Sequence, residues 1–468
     1  MKKFYITTPI YYINAEPSIG SACTTVIADV LARLHRQLGE EVFFLTGTDE
    51  HGEKVALEAE KNHQEVGKYC DEVAKKFKDA WSLLNISNDF FIRTTDPRHE
   101  NEVKYFLKDI FEKGDIYKDK YEGFYCTGCE AFKTEKELVN GQCPLHPNGK
   151  ITKKCEENWF FKLSKYVPRI IELIENDKTN YIFPESKRAE VLAKLNTGIN
   201  DISITREGVD WGIPAPWDEN QSIYVWIDAL INYYSATRFL ENKSGFWPAN
   251  LHLLGKEILW FHAVIWQAML MSKGLPLPER IYVHDFFTID GQKMSKSLGN
   301  TIPPKELIDI FGIDASRYLI ASYFPNNGDV DIGMLRFKEK YNAQLANNLG
   351  NLVSRVCKLG QGIKINVEKN SLNLEFINLV NELKISEAIE WIFTKYIDES
   401  NNLLNKVEPW KLAENDKRRI EALEKCAQYL LLAAEHLESV LPTLSQKIKN
   451  QFSGEIKVLE NGLFPRIK

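Results

Sequence analysis

The feature that most constrains the fold is the order of the first elements along the chain. Lys3 to Thr8 is a short apolar run typical of a buried strand, and Glu41 to Leu45 is a second one. Between them, apolar residues recur at helical spacing from Val26 to Leu38, and Gly39 follows where a helix commonly ends. When a helix connects two strands of one sheet in this way, the strands run parallel and the connection is right-handed. The chain is therefore predicted to build an α/β domain.

This α/β pattern is interrupted and then resumes. From about Gly114 the helical periodicity fades and Tyr, Gly and Cys become frequent, which indicates an insertion. Strand-like runs return at Ile223–Ala229, Leu251–Leu254 and Ile281–Phe287, and Ile258–Met271 is predicted to be an apolar helix. The predicted boundaries are 1–114 for the first half of the α/β domain, 115–222 for the insertion and 223–290 for the second half.

The remainder of the chain is predicted to be helical. After Asn300 the strand signals stop, Gly and Pro become sparse, and apolar residues repeat at three and four. The predicted helical stretches are Tyr341–Leu359, Phe376–Val407 and Lys417–Leu441. We predict a connecting segment at 291–340 and an all-α domain at 341–468.

Charge and apolar runs narrow the classes of function. A net charge of -6 argues against a chain coated with basic residues, but it allows a local nucleic-acid-binding patch. No run approaches the ~18 apolar residues of a membrane span, and the start of the chain, Met1 to Phe4, lacks the apolar stretch of a signal peptide. We predict a cytoplasmic protein. Scattered single cysteines suit such a reducing compartment, and they are Cys23, Cys70, Cys357 and Cys426.

The other cysteines cluster inside the insertion. Cys126 and Cys129 are separated by two residues, and Cys143 and His146 repeat that spacing. Two such pairs are typical of a tetrahedral structural site, and thiolates with imidazole suit Zn²⁺. Cys155 is an alternative fourth ligand. The insertion is therefore predicted to hold one structural zinc ion.

A lysine-rich loop is the sharpest short motif. Lys293-Met294-Ser295-Lys296-Ser297 follows a predicted strand and a polar turn. Two lysines three residues apart on such a loop can both reach one polyphosphate and neutralise charge on a leaving pyrophosphate. The alternative for an isolated lysine pair is a solvated basic loop.

This pentapeptide is identical to the second signature of the class I aminoacyl-tRNA synthetases. The rest of the chain resembles the methionyl-tRNA synthetases of the bacterial, single-zinc type in the order and spacing of further motifs. Those motifs are Thr7-Thr8-Pro9-Ile10-Tyr11-Tyr12, Phe44-Leu45-Thr46-Gly47-Thr48-Asp49-Glu50-His51-Gly52, Tyr224-Val225-Trp226-Ile227-Asp228-Ala229, Phe246-Trp247-Pro248 and Leu254-Gly255-Lys256-Glu257-Ile258.

The resemblance implies a fold and an activity. The fold is a Rossmann-type catalytic domain split by a zinc-bearing connective insertion, then a stem-contact segment and an α-helical anticodon-binding bundle. The activity is activation of L-methionine with ATP to methionyl-adenylate and its transfer to tRNA(Met), with Mg²⁺ accompanying ATP. The family pattern also favours His146 as the fourth zinc ligand, and we expect a monomer.

The resemblance places the methionine pocket at several strand ends. It implies that Asp49 pairs with the substrate ammonium group. An unbranched, polarizable side chain suits an aromatic and apolar pocket. The positions implied around it are Ile10, Tyr12, Trp226, Ala229, Leu230, Tyr233, Ile258, His262 and Trp266. His262 and Trp266, four apart on the predicted helix, are expected to share a face.

The resemblance also assigns residues to ATP and to tRNA. Lys296 corresponds to the catalytic lysine of the loop, with Lys293 assisting. The nucleotide is expected over Tyr11 and Gly20, with Gly255 allowing close backbone approach and Glu257 at the ribose. Anticodon contacts are expected from Asn351, Arg355 and Trp410, since amide and guanidinium groups can bind base edges and an indole can stack on an unpaired base.

The chain departs from the family at the first class I signature. Ser18 and Ser21 stand where two histidines that contact the ATP phosphates are expected. This leaves the alternative of a synthetase-like protein that binds its ligands with impaired catalysis. A class I synthetase for another apolar amino acid is a weaker alternative, because an insertion at 115–222 that holds a zinc knuckle has no room for a large editing domain.

Overall fold

A computed structural model describes most of the chain. It covers residues 2–126, 131–133, 135, 138–144, 149–176, 181–294, 299–365 and 371–468. Across these ranges, no helix combines the length and the apolar character needed to cross a membrane.

The strands are given first, in chain order. They are β1 (Lys3–Tyr12), β2 (Glu41–Asp49), β3 (Phe90–Arg93), β4 (Ile116–Cys126), β5 (Ala131–Lys133), β6 (Ile151–Phe161), β7 (Ile182–Phe183), β8 (Ile202–Ser203), β9 (Thr205–Glu207), β10 (Pro214–Ala215), β11 (Asp218–Ile223), β12 (Leu251–Gly255), β13 (Ile281–His284), β14 (Phe287–Ile289), β15 (Gln292–Lys293) and β16 (Val330–Ile332).

The helices follow. They are α1 (Ile19–Gln37), α2 (Glu53–Lys61), α3 (Val66–Leu83), α4 (Pro97–Glu112), α5 (Val167–Glu175), α6 (Glu185–Leu195), α7 (Val225–Phe239), α8 (Trp266–Lys273), α9 (Pro304–Phe311), α10 (Ile313–Ser322), α11 (Met334–Lys340), α12 (Asn351–Gly360), α13 (Leu374–Asn381), α14 (Ile385–Ile392), α15 (Glu399–Val407), α16 (Lys417–Leu437) and α17 (Pro442–Phe452). π-Helical stretches cover Phe261–Ile265, Tyr341–Gly350 and Phe393–Asp398, and 3-10 turns cover Leu163–Lys165, Ser244–Phe246, Lys256–Ile258 and Pro409–Lys411.

The main sheet confirms the predicted parallel α/β core. Its strand order is β3-β2-β1-β12-β13-β7, and every neighbouring pair is parallel. The order runs outward in both directions from β1 and β12, so the strand order reverses between them. In open α/β sheets this reversal leaves a crevice at the carboxyl ends of the strands, where ligands bind.

Alternate strand residues pack on opposite faces of this sheet. Phe4 and Ile6 enter one apolar core, which also contains α1 and the helices after residue 300. Tyr5 and Phe43 enter the other, with α4, α7 and part of the insertion. Burial on both faces explains why the strands read as continuous apolar runs.

A close approach between two strands requires a glycine in β2. A Cβ built at Gly47 would lie 2.0 Å from the backbone oxygen of Ile92 in β3. Because backbone cannot give way as a flexible side chain does, any larger residue would push these two strands apart.

The insertion builds a small antiparallel sheet of order β10-β11-β9 and a larger one, and one further strand joins the main sheet. The order β5-β4-β6-β8 unites its long strands, and β4 pairs with β6 from Ile116 to Cys126. The short strand β7 also lies within 115–222, yet it pairs in parallel with β13 at the edge of the main sheet. The inserted segment therefore returns to the core before it ends.

Two predictions about secondary structure in the second half were wrong. The run Ile223–Ala229 is not a strand, because β11 ends at Ile223 and α7 begins at Val225. A short apolar run cannot distinguish a buried strand from a buried helix by periodicity. Strand signals also continue after Asn300, since β16 pairs with β14.

The helical region agrees with the prediction in its main elements. The stretch at Tyr341 continues through α12, and α16 begins at the predicted Lys417. The stretch Phe376–Val407 is broken where Leu383 adopts a positive φ of 57°. A fully buried ion pair at 2.7 Å joins Arg317 of α10 to Asp29 of α1, and this contact ties α10 to the α/β domain.

Candidate active site

A cavity of about 410 Å³ opens where the main sheet reverses its strand order. Its walls come from the carboxyl ends of β1, β2, β12 and β13, from the start of α1 and from α7. The side chains that line it include most of the residues predicted for methionine and ATP. The predicted ones are Ile10, Tyr11, Tyr12, Ser18, Gly20, Ser21, Asp49, Trp226, Ala229, Leu230, Tyr233, Gly255, Glu257, Ile258, His262 and Lys293.

One side of the cavity is apolar and aromatic. Trp226, Ala229 and Tyr233 recur at helical spacing along α7, so they present one face to the cavity. The Trp226 ring stacks on Phe261, with centroids 4.2 Å apart and an interplanar angle of 13°. Asp49, at the end of β2, is only 5% exposed and brings a carboxylate into this side.

A neutral hydrogen-bonded pair lies on the same side. His262 Nδ1 is 3.0 Å from the backbone oxygen of Ile258, which can only accept, so Nδ1 carries a hydrogen. Burial lowers the pKa of His262 to about 4, so the ring is neutral near pH 7. Its Nε2 therefore accepts from the Tyr233 hydroxyl at 2.7 Å.

Trp266 does not line the cavity. Its side chain is fully buried, with ring centroids 5.9 Å from Phe106 and 6.3 Å from Tyr233. The predicted helix begins with a 3-10 turn and then the π-helical stretch Phe261–Ile265, before α8. His262 and Trp266 both lie beside Tyr233, with ring centroids at 5.6 Å and 6.3 Å, so they share a face, but only His262 reaches the cavity. Trp266 packs behind Tyr233.

The other side of the cavity suits a nucleotide. A Cβ on Gly255 would lie 2.5 Å from a carboxylate oxygen of Glu257, so glycine leaves room for that side chain. Burial raises the pKa of Glu257, and the charges of Lys293 and Lys256 oppose that rise. Lys293 lies with its Nζ 4.5 Å from the centre of the Phe286 ring. Lys296 lies outside the described residues.

The start of α1 forms part of the rim of the cavity, and it carries Ser18 and Ser21, where the family pattern has histidines. The Ser18 backbone N–H donates to Ser21 Oγ at 3.0 Å, and the Ser21 hydroxyl donates to the Ser18 carbonyl at 2.9 Å. Tyr11 donates its hydroxyl hydrogen to the Ser21 carbonyl at 3.0 Å. Ser21 is thus engaged in the first turn of the helix, while both serines line the cavity.

The sequence analysis missed several lining residues near β13. His284 Nδ1 lies 2.7 Å from the Asp285 carbonyl, and burial lowers the pKa of His284 to about 4. Its Nε2 therefore accepts from Thr24 of α1 at 2.7 Å. Asp285 Oδ1 accepts from Lys187 of the insertion at 2.9 Å. Polar residues directly after the apolar run at Ile281 were the signal that could have found this cluster.

The predicted zinc ligands are only partly described. Cys126 ends β4 and Cys143 follows a hairpin turn, and both are fully buried. That turn has positive φ at Asn140 and Gly141, as a tight two-residue hairpin requires. Cys129, His146 and the side chain of Cys155 lie outside the described residues. Within the described part, no group of three or more His, Cys, Asp or Glu residues could hold a metal ion.

The three predicted anticodon residues lie in the helical region. Asn351 begins α12 and is exposed, and Arg355 follows one turn later. Trp410 lies in the 3-10 turn after α15, is 44% exposed, and has the Arg355 guanidinium 5.1 Å from its ring centre. The structure thus brings Arg355 and Trp410 together on a surface away from the cavity-lining residues.

Comparisons with known proteins agree with one another. The family described as tRNA synthetases class I (M) matches residues 4–157 and 146–357. The methionine–tRNA ligase of Clostridium acetobutylicum is 42% identical over 98% of this chain and 75% of its own length. That of Synechocystis is 41% identical over 96% of this chain and 89% of its own.

Solved structures give the same picture. The methionyl-tRNA synthetase of Mycobacterium tuberculosis in complex with methionyl-adenylate is similar with a TM-score of 0.90 and 32% sequence identity, covering 100% of both chains. The free form of that enzyme has a TM-score of 0.82 and 29% identity, covering 100% of this chain and 99% of its own.

Proposed function

The chain belongs to the methionyl-tRNA synthetases of class I, and from that premise we propose how its residues join methionine to ATP and then to tRNA(Met). One observation carries this proposal. The cavity at the sheet reversal places a carboxylate and an aromatic wall on one side and a lysine on the other.

Methionine is proposed to lie between β2 and α7. The buried carboxylate of Asp49 pairs with the substrate ammonium group, because a charge-assisted hydrogen bond is strong in a dry site. Trp226, Ala229 and Tyr233 contact the side chain. Because His262 is neutral and Tyr233 donates to it, this part of the wall is uncharged. An uncharged aromatic wall suits the uncharged thioether of the methionine side chain.

ATP is proposed to lie over Tyr11, Gly20 and Gly255, with its ribose at Glu257. A methionine carboxylate oxygen attacks the α-phosphorus, the bond from that phosphorus to the bridging oxygen breaks, and pyrophosphate leaves with the bonding electrons. Lys293 and Lys296 neutralise the charge that builds on pyrophosphate. Mg²⁺ would accompany the nucleotide and supply further charge neutralisation.

A zinc ion is proposed to stiffen the insertion. Its ligands would be Cys126, Cys129, Cys143 and His146. Two fully buried thiols, one at the end of β4 and one after the turn at Asn140 and Gly141, support this site, because thiolates and imidazole suit tetrahedral Zn²⁺. The ion would contribute to folding and take no part in the reaction.

The helical region is proposed to bind the anticodon through Asn351, Arg355 and Trp410. An exposed indole with a guanidinium over its ring is a surface on which an unpaired base can stack. The tRNA would receive methionine from the adenylate through a hydroxyl of its terminal ribose, with AMP leaving. A monomeric state and a cytoplasmic location stay predictions, which sedimentation and cell fractionation would test.

Methionine-dependent exchange of pyrophosphate into ATP tests the activation step. We expect exchange with L-methionine and not with leucine or isoleucine, followed by charging of tRNA(Met). Binding of methionine and ATP without any exchange would instead favour the catalytically impaired alternative.

A further inference from the structure

We propose that Asp228, together with His51 and His99, is a positioning residue that sets the two walls of the methionine pocket relative to each other. This inference rests on the proposed function and extends it to residues that do not line the cavity. The three side chains form a buried network behind the pocket, on the side of α7 that faces α4.

The network is bidentate at the carboxylate. Asp228 Oδ2 lies 2.7 Å from His51 Nδ1, and Asp228 Oδ1 lies 2.8 Å from His99 Nε2. An ionised carboxylate can only accept, so both ring nitrogens must carry hydrogens. The exposed fractions are 1% for Asp228, 5% for His51 and 0% for His99. Three polar groups buried together are stable only when they satisfy one another.

Charge stabilises this arrangement. Burial works to raise the pKa of Asp228, yet the charge and hydrogen bonds of His51 and His99 hold it below its ordinary value. Burial works to lower the pKa of His51, and Asp228, Glu100 and Glu50 together keep it above its ordinary value. Glu100 Oε1 lies 3.8 Å from His51 Nε2. The carboxylate and the imidazole thus favour each other's charged forms.

The network joins two elements that supply different parts of the methionine side of the cavity. His51 follows Asp49 by two residues, so its bond ties α7 to the strand end that carries the carboxylate expected at the substrate ammonium. Asp228 lies on α7 between Trp226 and Ala229, which line the cavity. The bond from His51 to Asp228 is therefore a direct link between the ammonium site and the side-chain wall.

A second set of contacts holds the remainder of this strand end in place. Trp211 donates its indole N–H to the Glu50 carbonyl at 2.7 Å, and the Gly52 N–H donates to the Trp211 carbonyl at 2.9 Å. Arg93 Nε donates to Glu50 Oε1 at 2.7 Å. Because the residues on both sides of His51 are held, loss of the His51 bond should leave the strand folded and allow α7 to shift relative to it.

The nucleotide side does not touch this network. Its residues come from the start of α1, from β12 and from the segment after β13. Misplacement by about 1 Å can cost on the order of a hundredfold in rate. We therefore expect loss of the network to weaken methionine recognition selectively and to leave ATP recognition nearly unchanged.

The experiment compares His51→Ala with His51→Asn in the full chain. An Asn amide nitrogen occupies the place of His Nδ1 and can still donate to Asp228, whereas Ala cannot. We expect the KM for methionine in pyrophosphate exchange to rise at least tenfold in His51→Ala, with the KM for ATP within threefold of wild type. His51→Asn should recover most of the methionine KM. Asp228→Asn, which keeps the shape and removes the charge, is the second variant should His51→Ala not fold.

A matched control is Asp29→Asn, which alters another fully buried carboxylate bonded to Arg317. It should lower the melting temperature without a selective rise in methionine KM. Parallel changes in both KM values, or equal behaviour of His51→Ala and His51→Asn, would overturn the proposal. Calorimetric methionine Kd values for the same variants separate the two hypotheses. If the wild-type protein binds methionine but shows no pyrophosphate exchange, the proposed function is contradicted. The ratio of the methionine Kd values of His51→Ala and His51→Asn would still test the positioning role.

Discussion

Tyr233 donates a hydrogen bond of 2.7 Å to His262 beside the cavity, and the acceptor is a neutral histidine. The two residues come from different elements, α7 and the π-helical turn before α8. Their bond therefore fixes the distance between two parts of the methionine wall.

Tyr233→Phe is expected to weaken methionine binding about tenfold. It leaves the buried His262 Nε2 without its donor, and an unsatisfied buried group costs about 1–3 kcal/mol. Calorimetry with methionine and thermal unfolding would measure both effects. Tyr234→Phe is the matched control, because Tyr234 is adjacent on α7 and does not line the cavity. Equal Kd values for wild type and Tyr233→Phe would contradict this role.

Ser18→His is expected to accelerate adenylate formation. An imidazole at the rim can give a phosphate a charge-assisted hydrogen bond, and such bonds contribute about 1.5–3 kcal/mol, or roughly ten- to a hundredfold in rate. Ser21→His should give less, since the Ser21 hydroxyl already bonds the Ser18 backbone. The kcat of pyrophosphate exchange is the measurement. If Ser18→His stays within about threefold of wild type, the residues already present suffice.

Cys143→Ser is expected to lower the bound zinc from one ion per chain and to destabilise the insertion. Serine is a poorer ligand than a thiolate, and a structural zinc contributes directly to folding. Metal analysis of the purified variant would measure this loss. Cys357→Ser is the control, because Cys357 is buried in the helical core away from the insertion. Unchanged zinc content in Cys143→Ser would rule out this ligand set.

Trp410→Ala is expected to reduce charging of tRNA about ten- to a hundredfold, because stacking of a base on an aromatic ring is worth roughly 1–3 kcal/mol. Pyrophosphate exchange should remain nearly intact, since Trp410 does not line the cavity. Trp391→Phe is the control, because Trp391 packs inward against His436 and Tyr396. An equal loss of exchange and charging would contradict the separation of the two sites.

Acid is expected to destabilise the protein through two of its buried histidines, His262 and His284. The pKa values of His262 and His284 lie at about 4, below the ordinary 6.5, so the folded state binds fewer protons than the unfolded chain. Their contribution to stability is complete above about pH 6.5 and is lost as the pH falls toward 4. Between pH 7 and pH 5 each should reduce the free energy of unfolding by about 2 kcal/mol.

Urea unfolding at pH 7 and pH 5 would measure this loss. In His284→Gln the difference between the two pH values should shrink by the contribution of that residue. His63→Asn is the control, because His63 is exposed at a left-handed turn that Asn also tolerates. The same pH dependence in wild type and His284→Gln would contradict the assignment.

The sequence predicted the parts of the fold that local patterns encode. The spacing from Val26 to Leu38 predicted α1, and Gly39 marked its end with a φ of 80°. The alternation of strands and helices predicted the parallel sheet, because a crossover helix leaves few arrangements open. The misassigned run at Ile223–Ala229 is apolar except for Asp228, and it is too short to carry a period that could separate a helix from a strand.

Sequence patterns therefore predicted the α/β core, its interruption, the helical region and most of the cavity residues. The core and the helical region follow from periodicity and turn residues, and the cavity residues follow from the resemblance of the motifs to a known family. Three features became visible only in the packed structure: Trp266 lies behind the pocket, β7 returns to the main sheet, and Asp228 bridges His51 and His99. The physical reason is that each of these depends on contacts between segments far apart in the chain, and a buried polar side chain shows its partner only once the segments have packed.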